Sequence, residues 1–179
     1  MKKIIRFIKY ALWLILLSAI TALLSYCTDM FEEKHTDCNL QGRVVKLADG
    51  DSITVLDDDK TQHKIRLSGI DTPERGQPFG KAAKQFLSDK IANKTVCVGW
   101  YKKDRYKRLV GVVRYNDEDI NLSIVKAGLA WHYKAYQNEQ SESDQKRYAK
   151  AEKTAKKQKL GLWQDKHAIA PWDWRRNKR

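Results

Sequence analysis

The chain has 179 residues, with 35 Lys and Arg against 22 Asp and Glu, a formal net charge of +13. That length holds one domain with a real core and little beyond it, and the charge suits a polyanionic partner: nucleic acid or an acidic membrane surface. No CxxC pair is present and the His residues are scattered, which argues against a Cys/His zinc site.

In chain order, Lys2, Lys3, Arg6 and Lys9 precede an uncharged run from Tyr10 to Tyr26. A basic flank and a long apolar run read as a secretory signal or N-terminal membrane anchor over residues 1–27. The basic end stays inside, which places Thr28 onward outside the cytoplasm. Cys27 follows Leu24-Ser25-Tyr26, which looks like a bacterial lipoprotein box but has Tyr26 where a small residue belongs. Residues 28–37 are polar, lack periodicity and read as a linker. Cys38 and Cys97 form either a disulfide or two buried thiols; export favours the bond.

Leu40–Leu47 and Ser52–Leu56 read as strands joined by Ala48-Asp49-Gly50-Asp51, and Asp-Gly is a strong hairpin signal. Asp57 to Lys60 makes a second polar turn into a third strand, Lys64–Ser68. Gly80–Ile91 reads as a helix with Ala83, Phe86, Leu87 and Ile91 on one face. Thr95–Tyr101 and Leu109–Tyr115 read as the fourth and fifth strands, separated by the basic loop Lys102 to Arg108. Ile120–Ala130 and Ser143–Lys159 read as further helices, the last with a thin apolar stripe of Tyr148, Ala151 and Ala155. Five short strands with a helix between the third and fourth predict an α+β chain: a five-stranded OB-fold barrel with about three helices, over residues 38–165. The remainder, 166–179, reads as a basic tail whose Trp172 and Trp174 either stack on bases beside its cations or, the favoured reading, pack back on the domain.

The chemistry is concentrated between Lys64 and Gln77. Arg66 lies on the strand face opposite Ile65 and Leu67, because strand side chains alternate. Asp71, Thr72 and Glu74 follow at the strand end. This stretch offers one carboxylate for a hard metal ion, a second to activate water, and a guanidinium fork for phosphate. Asp71-Thr72-Pro73-Glu74 also fits a helix capping box, and Asp49-Gly50-Asp51 also fits a plain turn. Asp51, however, follows a turn already completed by Asp49-Gly50, and a strand Arg at position 66 requires an anionic partner.

Asp49-Gly50-Asp51, Arg66 to Glu74, Asp104 to Arg108, Gly128 to Trp131 and Leu160 to Trp163 together resemble staphylococcal nuclease and its bacterial relatives. The resemblance runs from Leu40 to Trp163. It implies that Asp51, Asp71 and the Thr72 carbonyl ligate one Ca²⁺, that Glu74 activates the attacking water, and that Arg66 and Arg108 clamp the scissile phosphate. It also implies that Tyr106, Tyr136, Lys134 and Arg105 line the nucleotide pocket. Here Lys134 stands where relatives carry a Tyr, with Tyr133 just before it, and Lys107 stands where a Gly is common. The implied activity is Ca²⁺-dependent hydrolysis of DNA and RNA with little sequence specificity and a preference for unpaired strands. The resemblance further implies 3′-phosphorylated products, and the expected enzyme is a monomer outside the cytoplasm, anchored at the inner membrane or secreted. Two other classes fit parts of the sequence: a barrel that only binds nucleic acid, and a basic protein on anionic lipid. The retained acids Asp51, Asp71 and Glu74 argue against both.

Overall fold

The structure, a computed structural model, describes residue 13 and residues 38–177. The signal or anchor at 1–27, Cys27 and the linker at 28–37 lie outside the described residues, Trp13 excepted. Among the described residues no helix is long and apolar enough to cross a membrane.

Alternation of apolar and polar residues builds three strands, β1 (Leu40–Leu47), β2 (Ser52–Leu56) and β3 (Gln62–Leu67), which form an antiparallel meander. On the far side of β1 lies β5 (Thr95–Lys103), and β5 pairs with β6 (Leu109–Tyr115). The parallel pairing of β6 with β3 closes the barrel. Val44, Ile53, Val55, Ile65, Leu67, Val96, Val98 and Val113 point inward and are buried. These β-branched and leucine side chains stabilise the closed sheet at roughly 1.5–3 kcal/mol each.

Helix α1 (Gly80–Ile91) adds Ala83, Leu87 and Ile91 to the same core. A short ladder matters more for the site. β4 (Ile70–Asp71) pairs with β8 (Trp131–His132), so Asp71 lies opposite Trp131. Helix α2 (Ile120–Lys126) begins after the two-residue strand β7 (Glu118–Asp119) and is capped by Asp119, whose side chain accepts from the Leu122 N–H. It ends earlier than its pattern predicts, because Gly128 turns the chain at φ 70 and releases it into β8. Helix α3 (Glu142–Lys157) is capped by Ser141 and buries Tyr148, Ala151 and Ala155 along its narrow stripe.

The architecture is the α+β, OB-like barrel that the element order predicts, with one addition. The tail contains a helix, α4 (Pro171–Asn177), besides the three that the sequence suggests. Trp172 stacks flat on Tyr133 at 5.1 Å and meets Trp131 edge-on at 6.4 Å. Cys38 and Cys97 are joined, with their Cα atoms 5.4 Å apart and a sequence separation of 59. Closing a loop of that length restricts the unfolded chain by about 4 kcal/mol.

Candidate active site

The turn at Asp49-Gly50 sets the first carboxylate. The Asp51 N–H donates to Asp49 Oδ1 at 3.0 Å, and Gly50 lies so close to the neighbouring segments that a Cβ there would fall 2.7 Å from Ala83 Cβ and 2.9 Å from Thr72 Oγ1. Only a glycine lets the hairpin approach this closely. Asp51 therefore lands against Thr72: its Oδ2 accepts from the Thr72 N–H at 2.8 Å and from the Thr72 hydroxyl at 3.0 Å.

The β2–β3 register pairs Ser52 with Arg66, which carries the guanidinium to the same place. Arg66 Nη2 donates to Asp71 Oδ1 at 2.9 Å and lies 3.2 Å from Asp51 Oδ2, while Nη1 donates to the Leu67 carbonyl at 2.7 Å. One nitrogen thus touches both aspartates, so their carboxylates converge on one point rather than on separate faces of the barrel. Asp71 is 1% exposed, and burial pushes its carboxyl above the usual range even with arginines beside it. Asp49 joins the same cluster; burial and the neighbouring Asp51 charge push it up to about 6.

Arg108 enters from the loop before β6. Its Nε donates to Asp104 Oδ2 at 2.7 Å, and its Nη1 reaches Ser52 Oγ at 3.3 Å. Ser52 Oγ in turn donates to Asp51 Oδ1 at 3.1 Å, which links Arg108 to the acid pair. Lys107 stands at φ 60, in the left-handed region that a glycine adopts without cost, yet Arg108 still reaches the site. Tyr106, 67% exposed, lies under both Arg105 and Arg108, whose guanidinium carbons sit 5.5 and 5.4 Å from its ring centre.

These groups line one open cleft of about 610 Å³, together with Glu74, Tyr133, Tyr136 and Arg105. Lys134 is placed differently: its Nζ donates to Glu152 Oε2 at 2.9 Å, and it does not line the cleft. Tyr133, beside it in sequence, does, and meets Tyr136 edge-on at 4.9 Å. The sequence reading also missed Arg175. From α4 its Nη2 donates to Asp71 Oδ2 at 2.8 Å and its Nη1 to Glu74 Oε1 at 2.6 Å. The available signal was the Trp172–Arg175 spacing, which puts both on one face of a helix.

The donor set suits a hard divalent cation. Two converging carboxylates and a neighbouring backbone carbonyl are all oxygen ligands, the type preferred by Ca²⁺ and Mg²⁺. Among the described residues no three His, Cys, Asp or Glu side chains close around one point. A cation here would therefore rest on Asp51, Asp71, the Thr72 backbone and water.

The chain is similar to known proteins. Residues 64–165 match the staphylococcal nuclease homologue family. An uncharacterized endonuclease of Haemophilus influenzae is 38% identical over 165 residues, covering 92% of this chain and 86% of its own length. A micrococcal nuclease of Shigella flexneri is 39% identical over 147 residues, covering 77% of this chain and 82% of its own. An uncharacterized endonuclease of Escherichia coli is 37% identical over 141 residues, covering 78% of this chain and 88% of its own.

Proposed function

We propose, because this chain belongs to the staphylococcal nuclease family, that its cleft is the active site of a Ca²⁺-dependent phosphodiesterase acting on DNA and RNA. The protein is a nuclease, a hydrolase of phosphodiester bonds. Beyond that, the reading is hydrolysis at the 5′-oxygen–phosphorus bond with 3′-phosphorylated products and little sequence specificity. The observation that carries it is the single Arg66 nitrogen within 3.2 Å of both Asp51 and Asp71, in a cleft shared with Glu74 and Arg108.

Asp51, Asp71 and the Thr72 carbonyl would hold the ion. When bound, Ca²⁺ supplies positive charge to a phosphate oxygen and to a water molecule. The chain's own groups do the rest. Glu74, with its side chain 39% exposed at the cleft, takes the proton from the attacking water. Arg66 and Arg108 bind the non-bridging oxygens of the phosphate. Negative charge grows there as water adds, so charge-assisted donors act more strongly on the transition state than on the ground state. Arg108 is held to Ser52 by a long bond of 3.3 Å, which it gives up at little cost to reach phosphate. Tyr106 and Tyr136 are exposed at the cleft, where they stack on unpaired bases. With a net charge of +13, binding weakens steeply as salt rises.

The enzyme works as a monomer outside the cytoplasm, held at the inner membrane by residues 1–27 or released if they are cleaved. The Cys38–Cys97 bond supports an oxidising compartment.

The test is cleavage of DNA and RNA by the full-length chain, with Ca²⁺ or with chelator, followed by end-group analysis. Chelator abolishes cleavage, and the products carry 3′-phosphates. Glu74→Gln lowers kcat about 10²–10⁴-fold while nucleic-acid binding stays. Undiminished cleavage in chelator would discard the calcium, and full activity in the Gln variant would discard the role of Glu74.

A further inference from the structure

The C-terminal helix lies beyond residues 64–165, the part that matches the family, yet it delivers a charged group to the centre of the cleft. Its guanidinium spans two acids: Nη2 with Asp71 Oδ2 at 2.8 Å, and Nη1 with Glu74 Oε1 at 2.6 Å and Asp71 Oδ1 at 3.4 Å. Arg66 already holds Asp71 Oδ1. With both arginines in place, each oxygen of Asp71 is occupied by a donor that a metal ion would have to replace or share.

We propose that Arg175 is a built-in counter-cation of the acid cluster in the metal-free protein, and that α4 is a latch which withdraws when a divalent ion loads. The inference rests on the reading of Asp51 and Asp71 as metal ligands. Its physical basis is exclusion between like charges. A guanidinium bonded to Asp71 and Glu74 and a divalent ion bonded to Asp71 occupy the same few ångströms, with the same carboxylate as partner. Arg66 can keep Asp71 Oδ1, because β3 fixes it and it has a second anchor on the Leu67 carbonyl. Among the described residues Arg175 bonds only to the two acids, so it is the one that yields.

The rest of α4 is built for release. The helix has seven residues, and its last turn, Arg175 to Asn177, is exposed. It docks through the buried ring of Pro171, the contacts of Trp172 with Tyr133 and Trp131, the half-buried Trp174 and the two ion pairs of Arg175. Upstream, the Gln77 side-chain amide donates to the Ile169 carbonyl, which holds the hinge. Losing the ion pairs leaves the helix tied by its tryptophans, with the stack of Trp172 on Tyr133 as the tie nearest the acids. Because Tyr133 lines the cleft, movement of Trp172 also alters the wall against which a base would rest. A lysine could not span both acids as the planar fork does.

Two measurements without substrate test the latch. In calorimetric titration of the full-length chain with Ca²⁺, Arg175→Gln binds about tenfold more tightly than wild type, a coupling of ordinary size. Arg175→Lys falls between them. Equal or weaker binding by Arg175→Gln would overturn the latch and make Arg175 a support for the ligands. In hydrogen exchange of the wild-type chain read by mass spectrometry, amides of residues 172–177 exchange faster at saturating Ca²⁺ than in chelator. Unchanged or slower exchange overturns the latch without recourse to any variant. If neither Ca²⁺ nor Mn²⁺ binds any form, the ligand reading of Asp51 and Asp71 fails with it. If the ion binds with equal affinity to all forms, only the latch fails.

Discussion

Two aspartates are buried at opposite ends of the same argument. Asp71 is 1% exposed and Asp119 is 7% exposed, and burial pushes both carboxyls above the ordinary range. Their partners differ. Asp119 accepts from the Leu122 N–H at 2.9 Å and from the Tyr148 hydroxyl at 3.0 Å, both fixed parts of the helical layer, and the guanidinium of Arg147 stays 4.0 Å away. Asp71 accepts from Arg66 and Arg175, long side chains with charges of their own, at the floor of a cleft. Burial and a displaced pKa are thus shared by a structural acid and a chemical one. What separates them is whether one of the donors, here Arg175, can leave.

Substitution sharpens that contrast. The largest effect falls on Asp71. Asp71→Asn should lower kcat about a thousandfold, or about 4 kcal/mol, while Asp119→Asn stays within about threefold of wild type. Asp119→Ala should instead destabilise the fold by about 3 kcal/mol, read by urea unfolding. It removes a helix cap worth about 1 kcal/mol and strands a buried tyrosine hydroxyl at a cost of roughly 1–3 kcal/mol. Equal losses of activity in the two Asn variants would erase the distinction.

A smaller effect concerns pH. Burial holds the folded Asp119 carboxyl above its unfolded value of 3.8. The folded state then binds that proton more tightly, so this contribution to stability is fully present below pH 3.8 and is lost as pH rises through the folded pKa. Asp119→Asn keeps the cap and an acceptor for Tyr148 but cannot ionise. Its melting temperature in chelator should fall less than that of wild type as pH rises above about 4. Parallel curves would mean that Asp119 titrates alike in both states. The smallest effect belongs to Lys107, at φ 60. Lys107→Gly relieves the left-handed backbone but loosens the unfolded chain, for a net gain of up to about 1 kcal/mol and unchanged kcat. A large loss of activity would show that the lysine itself contacts substrate.

The barrel was legible because its strands are short, alternate cleanly and are separated by Asp-Gly and Asp-rich turns. The acids at 51 and 71 were legible as residue types beside a strand arginine. Asp119 and Tyr148 were not, because their partnership spans 29 residues and leaves no local pattern. The φ of Lys107 was hidden for a related reason: the loop closure from Asp104, which accepts from the Arg108 N–H and Nε, sets it rather than any preference of lysine. The tail illustrates the same limit. Its tryptophans announced packing, but that the arginine one turn further would reach Glu74, 101 residues earlier, depends on how the helix is hung.

The bond between Cys38 and Cys97 has a mechanical consequence. A chain tethered through its N-terminus would transmit any pull at residue 38 directly into β5, in the middle of the closed barrel, before β1 bears load. Tension then has to shear several strands together instead of peeling the first one away. In a reducing environment that protection vanishes, and β1 becomes the weak seam at which a stretched molecule starts to open.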